Sequence, residues 1–172
     1  MNLRCRASSE ADGRRRPAKL VPVSPVAIAV LCGLIGAGLG LLADWLLRLD
    51  PLGLSTAIRW ALCALLALGG AGIIAAALSR FGQAKTPPEP WKPTTALATQ
   101  GIYAHTRNPM YLGMALLLLA VAIGLASLGT LLLFPVVLII VDRFVIAREE
   151  HYLDRLLGAL YADYRQQVRR WL

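Results

Sequence analysis

Three apolar stretches dominate the chain: Val21–Leu47, Ala57–Leu78 and Pro109–Val141. A helix crossing a bilayer needs about 20 residues, so the first two each supply one span, predicted over 25–47 and 57–78. The third carries no charge over 33 residues, too many for one helix. It divides if Gly124-Leu125-Ala126-Ser127-Leu128-Gly129 turns tightly, giving spans over 109–125 and 128–148, the second helix continuing to about residue 151. The connection Leu49-Asp50-Pro51-Leu52-Gly53 is short, so the first two spans are expected to pair. The pattern predicts an all-α membrane protein of about four transmembrane helices in two antiparallel hairpins.

Small residues refine this picture. Gly36 and Gly40 have the GxxxG spacing that lets helix backbones approach, and packing inside one bundle is the simpler use than dimerisation. Gly70-Ala71-Gly72-Ile73-Ile74-Ala75 matches a dinucleotide-binding fingerprint as a string. That fingerprint requires a preceding strand and turn, and here it lies in mid-span among alanines, so it is rejected. Near the C-terminus, Leu153, Leu156, Leu157, Leu160, Tyr161, Tyr164 and Val168 recur at three- and four-residue spacing opposite Arg155, Arg165 and Arg169. This predicts an amphipathic segment on the membrane surface, with Gly158 as a break.

Charge orients the spans. Of 18 lysines and arginines, Arg48 and Arg59 alone flank the first hairpin turn, and none lies in the second. The rest fall in residues 1–20, in the proline-rich connection Ser79–Gln100, at Arg107 just before the third span, and beyond Val141. The positive-inside rule then puts these segments, and both termini, in the cytoplasm. Residues 1–20 read as a disordered basic tail and 21–172 as one membrane domain. The net charge of +8 is accounted for by juxtamembrane arginines facing anionic lipid, and no aromatic-basic pattern of a nucleic-acid binder is present. Cys5, Cys32 and Cys63 have neither disulfide nor zinc spacing, so no metal is expected. An alanine-, leucine- and arginine-rich composition suits a bacterial chain, placing it in the inner membrane.

Two polar knots interrupt this pattern, both on the cytoplasmic side. The first, Gly101–Gly113, holds Tyr103, His105, Arg107, Asn108 and Tyr111 at the start of the third span. Asn108 followed by Pro109 is a helix start, with Asn as N-cap. On one reading these residues only cap and anchor; on another, the exposed helix N-terminus receives a carboxylate. The second knot is Arg148-Glu149-Glu150-His151. At the end of the fourth helix two adjacent carboxylates oppose the dipole. They are either a solvated face offset by Arg148 and Arg155, or an acceptor for a ligand's ammonium or hydroxyls. Donors for a carboxylate beside an acceptor for an amine suit a bound amino acid, a group that S-adenosylmethionine carries.

The motifs Gly101-x-Tyr103, Arg107-Asn108-Pro109-x-Tyr111-x-Gly113, Glu149-Glu150, Gly158-x-x-Tyr161-x-x-Tyr164 and Val168-x-Arg170-Trp171 resemble those of the integral-membrane methyltransferases. These are the isoprenylcysteine carboxyl methyltransferases and their phospholipid methyltransferase relatives. The resemblance runs from about Thr94 to Leu172; the first two spans match only as generic helices. It implies an S-adenosylmethionine-dependent methyltransferase with a cytoplasmic cofactor pocket and a lipid-borne or small hydrophobic acceptor entering from the bilayer. Carried over, Thr95, Leu97, Ala98, Tyr103, Asn108, Pro109, Met110, Tyr111 and Glu149 would line the cofactor.

Two departures stand out. The family's Arg-His-Pro is Arg107-Asn108-Pro109 here, so any acid/base role of that histidine is lost. Val145 falls where the isoprenylcysteine enzymes carry a substrate-binding arginine, leaving Arg143 or Arg148 to substitute. His105, Arg107 and Glu150 are the catalytic candidates, and His105, His151, Glu150 and Tyr103 the groups able to take a proton, with nothing to select among them. The competing reading is a non-catalytic four-helix membrane protein, such as a transporter subunit or interaction partner. A transporter calls for an ionisable residue in mid-span, which none of the spans has.

Overall fold

A computed structural model describes residues 24–49, 52–83 and 99–171. The basic tail, the Asp50-Pro51 step, and the proline-rich segment with Thr95, Leu97 and Ala98 lie outside the described residues. Helix α1 spans Pro25–Leu47, α2 Thr56–Gln83, α3 Pro109–Gly124 and α4 Leu128–Ile140. A π-helical stretch, Val141–Ile146, carries α4 without interruption into α5, Ala147–Leu157, and α6 follows over Ala159–Gln167. One 3-10 turn, Gly101–Ala104, precedes α3.

Each boundary has a local cause. Ser24 accepts the Ala27 N–H and Pro25 opens α1, where a fixed φ and a missing donor do no harm. Ser127 does the same for α4, accepting the Thr130 N–H at 3.0 Å. The predicted turn between α3 and α4 forms at Leu125–Ser127, with Ala126 at φ 52°. Gly158, at φ 56°, separates α5 from α6 as expected.

Among the described residues three helices are long and apolar enough to cross a membrane: Pro25–Leu47, Thr56–Arg80 and Leu128–Leu157. Helix α3 forms where the third span was predicted, over 109–125, but its 16 residues rise about 24 Å, short of a hydrocarbon core of about 30 Å. The outward faces are apolar: Leu34, Leu65, Leu68 and Ile139 are 60–73% exposed, a surface that suits lipid and not water.

The pairing of helices departs from two sequential hairpins. Helix α1 lies chiefly against α4, and α2 chiefly against α3. Glycines decide this. Gly36 receives Val137 and Gly40 receives the Thr130 backbone, while Gly70 of α2 and Gly113 of α3 face each other so closely that a Cβ on Gly70 would sit 2.7 Å from the Gly113 carbonyl. The GxxxG pair therefore packs within the bundle, and the rejected fingerprint is plain helix. At the end where both turns meet, Asp44 accepts the Ser127 hydroxyl at 2.5 Å and the Gly129 N–H at 2.7 Å. It ties the end of α1 to the start of α4. Asp44→Ala should lower stability by about 1–2 kcal/mol, the scale of a lost helix cap with a stranded donor. An unchanged melting curve in detergent would contradict that.

Candidate functional site

The opposite end of the bundle gathers the polar residues. Arg80, near the end of α2, lies against Gly101, whose φ of 66° and lack of Cβ let the 3-10 turn sit there. This turn buries Tyr103. The chain then bends through Thr106 into α3. Asn108 stands at the N-cap, but its side chain makes no capping bond. Its Nδ2 instead donates to the Arg170 carbonyl at 3.1 Å, and its main-chain N–H donates to Thr106 Oγ1 at 3.2 Å. Asn108 is thus a tie to the C-terminal segment and not a side-chain cap.

Glu149 and Glu150 are not at a helix end, as the sequence reading had them; the helix continues to Leu157, so the dipole does not act against them. The π-helical stretch, a feature often found at functional sites, sets their rotation about the axis. The Tyr111 hydroxyl donates to Glu149 Oε2 at 2.5 Å. Glu150 is buried and sits 3.2 Å from Arg107 Nη1. Arg170 grips it from the other side, Nε donating to Oε1 at 3.2 Å and Nη2 to Oε2 at 2.5 Å. The same guanidinium reaches both Asp142 oxygens through Nη1, at 3.3 and 3.2 Å, and Trp171 Nε1 donates to Asp142 Oδ1 at 3.0 Å. Arg148 and Arg155, expected to offset the glutamates, are exposed; the compensating cations are Arg107 and Arg170.

Three carboxylates therefore face Arg107 and Arg170, with the exposed Arg143 at the rim, its Nε 3.7 Å from Asp142 Oδ2, and the pairing is uneven. Among the described residues Glu149 has no cation within salt-bridge reach, only the Tyr111 hydroxyl. Arg107 shows the complementary shortfall. Its side chain is 10% exposed, yet Nε and Nη1 have no hydrogen-bond partner, because the contact with Glu150 is an ion pair without hydrogen-bond alignment. Buried charges in proteins are ordinarily paired and hydrogen-bonded. A half-satisfied acid beside a half-satisfied base is an arrangement with room for hydrogen bonds to groups of both signs.

The structure thus brings Tyr103, Arg107, Asn108, Pro109, Tyr111, Glu149 and Glu150 to one end, with Met110 half-buried beside them. His105 and His151 are exposed, the His105 ring nitrogen lying 3.3 Å from the Gly101 carbonyl. Arg143 and Arg148 also face outward, the Arg143 side chain being 74% exposed. Tyr103 is a poor proton acceptor. Burial first, and then the Glu149 charge, push its phenol well above the ordinary tyrosine range, so it stays protonated and neutral. Burial also raises Tyr164, to about 12, and its hydroxyl donates to the Tyr103 carbonyl at 2.6 Å. Tyr161, Tyr164 and Val168 form their own buried cluster with Leu153 and Leu157, so much of the predicted amphipathic face packs inward while Leu156 and Leu160 stay exposed. Arg170, Asp142 and Thr106 were not singled out as site residues. Arg170 lay in a quoted motif, and Asp142 was visible as the first charge after the long apolar run.

Two cavities lie at or near this end, one reaching the cluster at Tyr111 and the other lined by Ala104 and Tyr164, beside Tyr103. One, of about 300 Å³, is almost wholly apolar and runs between α1, α3 and α4, lined by Gly33, Ala37, Met114, Leu118, Val137 and, at the polar end, Tyr111. The other, of about 400 Å³, is polar and is lined by Thr99, Ala104, Asp163, Tyr164 and Gln167.

A sequence model of the phospholipid methyltransferase family matches residues 58–159. The chain belongs to that family. It is accordingly a membrane methyltransferase. The match takes in α2, which the motif resemblance had left as a generic helix, and stops before Tyr161 and the Arg170 segment. A protein of Haemophilus influenzae described as uncharacterized is 41% identical over 63 residues, 37% of this chain and all of that one. No solved structure matches the chain.

Proposed function

We propose that the chain transfers a methyl group from S-adenosylmethionine to a lipid-borne acceptor, at the cytoplasmic face of a four-helix membrane domain in which α3, flanked by α2 and α4, completes the bundle. Members of the phospholipid methyltransferase family generally use this methyl donor. The observation that carries the reading is the shared position of Tyr111. Its ring lines the apolar cavity while its hydroxyl holds Glu149, so one residue joins a hydrocarbon-shaped space to an unpaired carboxylate.

The uneven charges fit the amino-acid end of S-adenosylmethionine. Glu149 accepts the ammonium, with Tyr111 fixing the carboxylate's direction, and the unpartnered N–H groups of Arg107, with those at the start of α3, take the carboxylate. Tyr103, neutral and buried, accepts from Tyr164 at its carbonyl and precedes Ala104, and these two neighbours line the polar cavity that would take the nucleoside; Thr95, Leu97, Ala98, Asn108, Pro109 and Met110 are the further residues proposed to hold the cofactor. Bound there, S-adenosylmethionine supplies an electrophilic methyl on a sulfonium. In-line displacement at carbon asks the protein chiefly for alignment and exclusion of water. Tyr111 and the apolar cavity would do this by seating the acceptor's hydrocarbon with its head at the charged end. Glu150 has both oxygens engaged by Arg170 and Arg107, so it serves to hold these two side chains. His105 and His151, at the surface, are placed to pass a proton to water and not to touch the reacting atoms.

The test is transfer itself. Protein in nanodiscs, given methyl-labelled S-adenosylmethionine and a total bacterial lipid extract, should move label into the organic phase. Label that stays aqueous with every lipid class offered would defeat the lipid-borne acceptor.

A further inference from the structure

Arg170 lies outside the pocket walls just assigned, yet it fastens four segments together. Its guanidinium holds Glu150 and Asp142. Its carbonyl accepts from Thr106 Oγ1 and Asn108 Nδ2, both at 3.1 Å, and the neighbouring Arg169 carbonyl takes the Arg107 N–H at 3.0 Å. Hydrogen bonding to Glu150, ahead of all other effects, pushes the guanidinium's pKa higher still, so the charge is permanent.

The consequence lies in how Glu150 is shared. A carboxylate has two oxygens and accepts a forked guanidinium at both. Arg170 occupies that forked position, with Nε on one oxygen and Nη2 on the other. Arg107 is left with a single unaligned approach at 3.2 Å, and its Nε and Nη1 keep no hydrogen-bond partner. Without Arg170, Glu150 is a buried acid with one cation nearby, and that cation is Arg107.

We propose that Arg170 is a positioning residue that satisfies Glu150, and so keeps the N–H groups of the buried Arg107 available to an anionic group of the ligand. The inference rests on the reading that Arg107 meets the carboxylate of S-adenosylmethionine. Arg170 acts through Arg107 and touches no reacting atom. Lysine cannot replace it fully, since a single ammonium cannot fork onto Glu150 and bridge to Asp142 at once.

Calorimetry with two probes separates this role from a merely structural one. S-adenosylhomocysteine carries the amino-acid end; 5′-methylthioadenosine lacks it. Arg170→Gln should weaken S-adenosylhomocysteine by about tenfold or more, the scale of one charge-assisted contact, while leaving 5′-methylthioadenosine within about threefold of wild type. Removing the competitor should undo the loss, so Arg170→Gln/Glu150→Gln should recover S-adenosylhomocysteine to within about threefold of wild type. Arg170→Lys should fall between and serves if Arg170→Gln does not fold. Equal weakening of both probes, no weakening, or no recovery in the double variant overturns the positioning role. Failure of the wild-type protein to bind S-adenosylhomocysteine instead overturns the cofactor reading beneath it.

Discussion

Glu149→Gln is expected to abolish useful cofactor affinity while leaving the empty protein as stable as wild type or more so. Among the described residues Glu149 is held by one hydroxyl and no cation, so its burial is not offset by them. Replacing the carboxylate by an isosteric amide relieves that penalty. With the ligand present the balance reverses. Truncating one partner of a desolvated charge pair costs about 2–5 kcal/mol, so S-adenosylhomocysteine should weaken by about a hundredfold. Glu150→Gln should behave in the opposite way. It strands the grip of Arg170 and the charge of Arg107, lowering stability by about 3 kcal/mol, the low end for a broken buried pair; the low end applies because Arg170 is 34% exposed. Affinity should stay within about threefold of wild type, since Arg107 is released and not lost. Thermal melts and calorimetry on the two variants read both quantities. Two adjacent glutamates giving the same pattern would refute the division of labour.

Gly40→Val is expected to destroy the bundle. A Cβ at Gly40 would collide with the Thr130 backbone and its Oγ1, and neither can step aside, because Thr130 is in the first turn of α4 and is held by Ser127. Overpacking a core typically costs about 1–3 kcal/mol, and an obstacle made of main chain puts this substitution at or beyond the top of that range. The variant should aggregate on extraction or melt far below wild type. Gly38→Val supplies the control, because nothing lies within 4 Å of a Cβ there. Indistinguishable size-exclusion profiles for the two variants would show that α1 does not pack on α4 through Gly40.

Which of these features could be read from the chain follows from the physics of its helices. Hydropathy placed α1 at 25–47, where it forms, and the start of α4 at 128, because a long apolar run bounded by Ser-Pro or by glycine has few alternatives. It could not say which helices lie together. Spans that are apolar on all sides point no face inward, so the pairing of α1 with α4 rested on Gly36 and Gly40, whose partners, Val137 and Thr130, carry no signature. The π-helical stretch was equally hidden, and without it the rotation of Glu149 and Glu150 cannot be derived. Tyr111 and Glu149 were legible as a pair because each polar group was anomalous where it stood. Asn108 was misjudged because an Asn-Pro step satisfies the capping rule by itself, whereas its amide is drawn away by a carbonyl 62 residues later. Arg143 and Arg148 flank Val145, the position at which the isoprenylcysteine enzymes carry an arginine, and both are exposed. The cation that grips Glu150 is Arg170, 20 positions on, which no local sequence rule brings there.

The most direct measurement is calorimetric titration of the wild-type protein, folded in detergent, with S-adenosylhomocysteine, run beside Glu149→Gln. Saturable one-to-one binding by the wild type, at micromolar ligand and about a hundredfold weaker in the variant, is the predicted result. A folded wild-type sample that shows no heat at millimolar ligand, or a variant that binds as tightly as wild type, would contradict a cofactor site built on Glu149.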